Sequence, residues 1–100
     1  MTRITLTGFL IARTLDEADR IAAHLPEHIR LTRAEPGCLS FEVIRSTSDP
    51  CRFAVAEAFA DRAAFQAHQA RTAASPWARV SAGIPRDYTT GEAAPPVARS

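Results

Sequence analysis

The run from Arg52 to Ala60 sets Phe53, Val55, Glu57 and Phe59 on one side of an extended chain and Ala54, Ala56, Ala58 and Ala60 on the other, because successive strand side chains alternate. Neither row is built for water. One is bulky and apolar with a single carboxylate in it, and the other is a row of methyl groups. A sheet containing this strand has to be covered on both faces. The run Ile4 to Ala12 makes the same demand, with Ile4, Leu6 and Leu10 opposed to Thr5, Thr7, Phe9 and Ile11.

The rest of the chain supplies cover for one face. Thr14-Leu15-Asp16-Glu17 has the spacing of a capping box and opens a helix. Leu15, Ala18, Ala22, Leu25 and Ile29 form its apolar stripe. Pro26 interrupts that helix, as a kink or as a restart, and Pro36-Gly37 closes the segment. Cys38 to Arg45 and Arg52 to Ala60 form a hairpin around the turn Ser46-Thr47-Ser48-Asp49-Pro50. Asp61 caps a second helix from Arg62 to about Ala74, and Ser75-Pro76 opens a short one carrying Trp77 and Val80. Gly83 ends it. A last strand falls at Arg86 to Thr89, and from Gly91 the Ala/Pro-rich segment has no periodicity. The order is βαββαβ: an α+β, ferredoxin-like four-stranded antiparallel sheet in one domain over residues 1–90, with a loose tail over 91–100.

Two helices cover one face of four strands, so the second face needs a partner. The most economical is the same face of a second copy, which gives a homodimer; the other arrangement is an open sheet with surface alanines. With 46% hydrophobic and 23% charged residues, a net charge of +1 and no basic cluster, the chain is an ordinary soluble domain, and nucleic acid is not an expected partner. No run is apolar enough for a membrane span, and the first strand follows Met1-Thr2-Arg3 directly, so the cytoplasm is the expected compartment. All twelve basic side chains are Arg, which excludes lysine Schiff-base chemistry. Cys38 and Cys51 lie near opposite ends of the hairpin, roughly 25 Å apart at about 3.3 Å per residue, and should be free thiols.

Four residues are candidates for chemistry. Glu57, between Val55 and Phe59, is costly to bury without a partner. An Arg would make it a structural ion pair, and a pocket would make it functional. His68 lies three residues after Phe65, the core anchor of its helix, and so points inward, either as a hydrogen-bonded core residue or into a cavity. His24 and His28 could span one metal ion, but they sit at the Pro26 kink, away from the apolar stripe, and no third ligand completes a set. No metal site is expected.

The sequence Glu35-Pro36-Gly37-Cys38-Leu39-Ser40-Phe41-Glu42, then Asp49-Pro50, Glu57, and Asp61 with Ala64-Phe65 and His68, resembles the antibiotic biosynthesis monooxygenase family. That family shows an acidic-x-Gly-Cys-Leu stretch, an aromatic opening the second strand, a Glu late in the third, and Asp-x-x-Ala followed by His in the next helix. The resemblance implies a ferredoxin-like fold pairing as a dimeric α/β barrel. It does not fix one reaction, because the family and its neighbours include quinol and polyketide oxygenases and haem-degrading enzymes. The haem-degrading members rely on Asn, Trp and His together. This chain has no Asn, its single Trp77 lies beyond His68, and Phe59 stands where oxygenase members often carry Trp.

No glycine-rich phosphate loop, cysteine cluster or haem-attachment motif is present, so the expected chemistry needs no cofactor. The resulting expectation is a cofactor-independent monooxygenase that brings molecular oxygen to a small aromatic, quinol-type or polyketide-like substrate. His68 would accept the proton, with Glu57 beside it, and Phe41, Phe59, Phe65 and Trp77 would form the walls. The competing expectation is a non-catalytic homodimer that binds a small metabolite in the same cavity.

Overall fold

A computed structural model of the chain describes residues 2–93. In chain order it has β1 (Arg3–Ile11), α1 (Leu15–Arg33), β2 (Cys38–Arg45), β3 (Arg52–Phe59), α2 (Arg62–Ala73), α3 (Pro76–Val80) and β4 (Arg86–Ala93). The strands form one antiparallel sheet in the order β2-β3-β1-β4, the ferredoxin-like arrangement expected from the element order. Among the described residues no helix is long and apolar enough to cross a membrane.

Local chemistry explains the helix starts. The Thr14 hydroxyl accepts the Glu17 N–H at 3.1 Å, and the Glu17 carboxylate accepts the Arg13 N–H at 2.8 Å while also pairing with the Arg13 guanidinium. This is a capping box moved one residue outward, with two orphan donors satisfied. Asp61 caps α2 through the Ala64 N–H at 2.8 Å. In the hairpin turn the Ser46 hydroxyl accepts the N–H groups of Ser48 and Asp49.

The buried stripe of α1 differs from the one expected. It runs Ala18, Ile21, Leu25, His28, Thr32, while Leu15 is 55% exposed and Ala22 and Ile29 are only half-buried. Two of the inward positions hold polar residues, so counting apolar residues alone selected the adjacent stripe. The helix also passes through Pro26 as one element instead of restarting. Pro26 lies on the exposed side, where its missing N–H costs one ladder bond and disturbs no packing. β4 continues to Ala93, so Gly91 to Ala93 belong to the sheet and not to the tail; the remainder of the expected tail, 94–100, lies outside the described residues.

The core lies between the helices and one face of the sheet, where Ile4, Leu6, Leu10, Phe53, Val55 and Phe59 meet Ala18, Ile21, Leu25 and Phe65. Each of the larger side chains contributes about 1.5–3 kcal/mol by burial. On the other face Ala54 and Ala56 are exposed, Phe9 and Ile11 half-buried, and Ile44 62% exposed. The Arg52 guanidinium lies over the Phe9 ring at 4.1 Å. Among the described residues nothing covers this face.

Two close approaches depend on glycine. Gly8, at φ +146°, sits where a Cβ would lie 1.9 Å from the Asp87 carbonyl oxygen on β4. Gly37, at φ +85°, sits where a Cβ would lie 2.6 Å from the Ala64 methyl on α2. Both residues are in a backbone region that side chains disfavour. Cys38 and Cys51 are free thiols.

Candidate active site

β3 alternation turns Glu57 toward the helices, in a row otherwise made of Phe53, Val55 and Phe59. α2 turns His68 down toward it, because Phe65 and His68 share the inward side of that helix. His68 Nε2 lies 3.8 Å from a Glu57 carboxylate oxygen, and both side chains are nearly sealed. The expected arginine partner of Glu57 is not what the fold provides. Among the described residues its titratable neighbour at this range is His68.

The other side of the His68 ring is fixed. Nδ1 stands 2.9 Å from Glu35 Oε1, at the end of the loop leaving α1. Glu35 is held in turn by the Arg71 Nε–H, and Arg71 donates through Nη2 to the Thr32 hydroxyl at 2.9 Å. A carboxylate oxygen that takes a guanidinium N–H on one side acts as an acceptor on the other, so Nδ1 carries the proton and Nε2 presents its lone pair on the Glu57 side. The chain Thr32–Arg71–Glu35–His68 ties α1, the loop and α2 together behind one imidazole.

These groups open onto a cavity of 420 Å³ between the sheet and the helices. Its sheet side includes Leu6, Phe41, Val55, Glu57 and Tyr88; its helix side includes His28, Phe65, His68 and Trp77. Phe41, Phe65 and Trp77 line this cavity. Phe59 does not: it is fully buried behind the site, with its ring 4.9 Å from the His68 ring. The strand alternation that turns Phe59 toward the helices also puts it beneath His68, where it supports the imidazole and cannot reach the cavity.

His28 was expected away from the core and is instead 6% exposed, stacked on Trp77 with centroids 4.5 Å apart and planes 8° apart. Its centroid lies 6.3 Å from that of His68. The readable signal was the spacing Ala18, Ile21, Leu25, His28, Thr32, which is helical whatever the polarity of the last two residues. Tyr88 and Arg86 had no signal beyond lying in the last strand. Among the described residues, no three His, Cys, Asp or Glu side chains gather as a metal site.

Burial sets the protonation states. It pushes the Glu57 carboxyl up to about 7, with the Glu35 charge adding to the effect. It lowers His68, against the opposing pull of the Glu35 carboxylate and its hydrogen bond. It takes His28 down to about 4, with the nearby Arg71 and His68 adding to the shift. Near neutrality the site thus holds two neutral imidazoles and a carboxyl close to its midpoint. That set can take up and return one proton, and the carboxylate form of Glu57 can balance the charge of an imidazolium formed beside it.

A protein of unknown function from Nitrosomonas europaea superposes with a TM-score of 0.75 at 25% identity, covering 100% of this chain and 97% of that one. A Shewanella oneidensis protein gives 0.74 at 24% identity, with 91% and 90% covered. A structure named as an antibiotic biosynthesis monooxygenase gives 0.65 at 22% identity, with 97% and 100% covered. A search of curated proteins finds no match. The family sequence profile described as antibiotic biosynthesis monooxygenase matches residues 14–79, a span that contains Glu35, Glu57, His68 and Trp77 and stops before Tyr88. With about two-thirds of its length matched, the chain belongs to the antibiotic biosynthesis monooxygenase family.

Proposed function

We propose that this protein is a cofactor-independent monooxygenase of a small quinol-type aromatic substrate, with His68 as the proton acceptor and Glu57 as the group that governs it. The observation that carries the reading is the fixed His68 ring. Its Nδ1 is held by Glu35 at 2.9 Å, and its Nε2 lies beside Glu57 at the wall of an apolar cavity. A positioned base with a lone pair facing a dry pocket suits removal of a phenolic proton.

In this reading a quinol lies between the sheet and Trp77 and gives its hydroxyl proton to His68 Nε2. The phenolate passes one electron to oxygen, and the two radicals join at a ring carbon. The proton returns to the resulting peroxide, and loss of the ring C–H proton with cleavage of the O–O bond releases water. Quinol and oxygen yield a hydroxylated quinone and water, with all electrons supplied by the substrate. The protein contributes the base, the orientation and the exclusion of water.

The cavity belongs to a homodimer, in which the uncovered sheet face packs against the same face of a second copy. The exposed Ala54, Ala56 and Ile44 support this. The test is oxygen uptake by the purified protein with a panel of quinols, catechols and anthrones, with product mass measured under ¹⁸O₂. Incorporation of one labelled oxygen atom is expected. Tight binding of the same compounds with no oxygen consumption would replace the enzyme with a small-metabolite binder.

A further inference from the structure

His28 is the one imidazole in the cavity wall that the proposed reaction leaves unused, and its surroundings are unusual. The ring is sealed to 6% exposure and clamped flat against Trp77. The Phe41 ring meets it edge-on at 5.5 Å. Among the described residues neither ring nitrogen has a hydrogen-bond partner, and Nδ1 is fully sealed. A buried polar side chain in a native protein normally has a partner, so a missing one marks a place where something else supplies it.

The tautomer follows from where the ring is closed. An orphaned acceptor is tolerated better than an orphaned N–H, so the sealed Nδ1 keeps its lone pair and the proton resides on Nε2. His28 lines the cavity, and with Nδ1 closed off, Nε2 is the nitrogen that can reach a ligand. Burial beside Arg71 and His68 keeps the ring neutral. A neutral imidazole held by stacking is a directed hydrogen-bond donor with no charge to desolvate, a role suited to an oxygen that gains electron density during reaction.

We propose that His28 is a substrate-binding residue whose Nε2–H donates to a second oxygen of the ligand, so that the cavity selects planar molecules with two oxygen functions. One oxygen meets His68 and the other meets His28. The two rings stand on different helices with centroids 6.3 Å apart, across the width of a single aromatic ring. Trp77 fixes the plane of His28 by stacking and so acts as its positioning residue. This rests on the quinol reading only for the identity of the first oxygen, and it extends that reading by naming what recognises the second.

The experiment is anaerobic binding of hydroquinone and of phenol to the full-length protein, which does not depend on oxygenation taking place. Hydroquinone should bind roughly five- to tenfold more tightly than phenol, as one added hydrogen bond allows. In His28→Phe, which keeps a flat ring against Trp77, that ratio should fall to about one with little change in melting temperature. His28→Gln, which keeps a donor, should retain part of it, and His68→Ala should leave it intact, because both probes share that contact. An unchanged ratio in His28→Phe, or no preference in the wild type, overturns the proposal. Should His28→Phe fail to fold, ¹⁵N spectra of the wild type decide: the Nε2 signal should be that of a protonated, neutral ring and should shift with hydroquinone but not with phenol. A His28 signal indifferent to both probes counts against the assignment. Selective binding without oxygen uptake would sink the oxygenase reading and leave this one standing.

Discussion

His68 Nδ1 and Glu35 Oε1 lie 2.9 Å apart although 33 positions separate them in the chain, one on α2 and the other in the loop that ends α1. This contact decides which nitrogen of His68 is free to act. It also divides the roles of the two carboxylates. Glu35, paired with Arg71, is the positioned acceptor, whereas Glu57, facing apolar neighbours, is the one whose carboxyl is pushed up by burial.

Glu35→Gln should therefore impair turnover without removing the base itself. An amide can hold Nδ1 in either tautomer, so a fraction of rings would turn their lone pair away from the cavity. The expected result is a loss of about 10²-fold in kcat with KM nearly unchanged. His68→Ala should stay folded and lose roughly 10²- to 10⁴-fold. Single-turnover rates and melting temperatures on the same preparations test both. A destabilised but fully active His68→Ala would remove His68 from the chemistry.

The pH dependence should follow Glu57. Its carboxyl titrates at about 7 in the folded chain against 4.5 ordinarily, so between these values the folded state binds more protons than the unfolded one. Stability must then fall as pH rises across that window. Glu57→Gln should abolish this slope and be more stable than the wild type above neutrality by roughly 2–3 kcal/mol. The carboxyl is faced by His68, by the charge of Glu35 and by Tyr88, with His28 and Arg71 farther back on the helices. Ionised Glu57, 3.8 Å from His68 Nε2, favours a protonated imidazole and so a stronger base, so kcat/KM should rise as Glu57 ionises. Glu57→Gln should remain in the low-pH form, and denaturant midpoints with pH–rate profiles of both proteins check this.

The uncovered sheet face should make the protein a dimer in dilute solution. Ala56→Arg places a charge in the middle of that face and should give a monomer by light scattering, with the hairpin register unchanged. A wild-type protein that is monomeric at micromolar concentration would defeat the dimer reading.

Gly8→Ala should be among the most damaging single-methyl changes in the chain. The added Cβ would meet the Asp87 carbonyl at 1.9 Å, and either β4 must withdraw or the strand must change conformation. A loss of roughly 3 kcal/mol or more is expected in urea titration. Tyr88, paired opposite Gly8, should lose its ordered environment in the same variant.

The fold was readable because alternation in β3 and the cap at Thr14 are local signals that the tertiary structure did not override. Much of the site was readable for the same reason: Glu57 stands out in an apolar row, and His68 is tied to Phe65 by helical spacing. His28 was missed because the inward stripe of α1 contains polar residues, and an apolar count passes over a position that is buried and polar at once. Arg71 and Glu35 belong to a hydrogen-bonded chain across three elements, which no local pattern encodes. Phe59 was misjudged because alternation tells which face a side chain takes but not whether an imidazole lies above it.

The Gly37–Ala64 approach links the reactivity of the site to a pair of residues that touch no ligand. Glu35 lies two residues before Gly37, and His68 one helical turn after Ala64, so the donor and acceptor of the 2.9 Å hydrogen bond ride on the two sides of this contact. A single methyl at position 37 would act as a shim, lifting α2 and lengthening the proton path while leaving every reacting group in place. The absent side chain thus sets the gauge of the site, and small residues here offer a means of tuning its basicity without altering its chemistry.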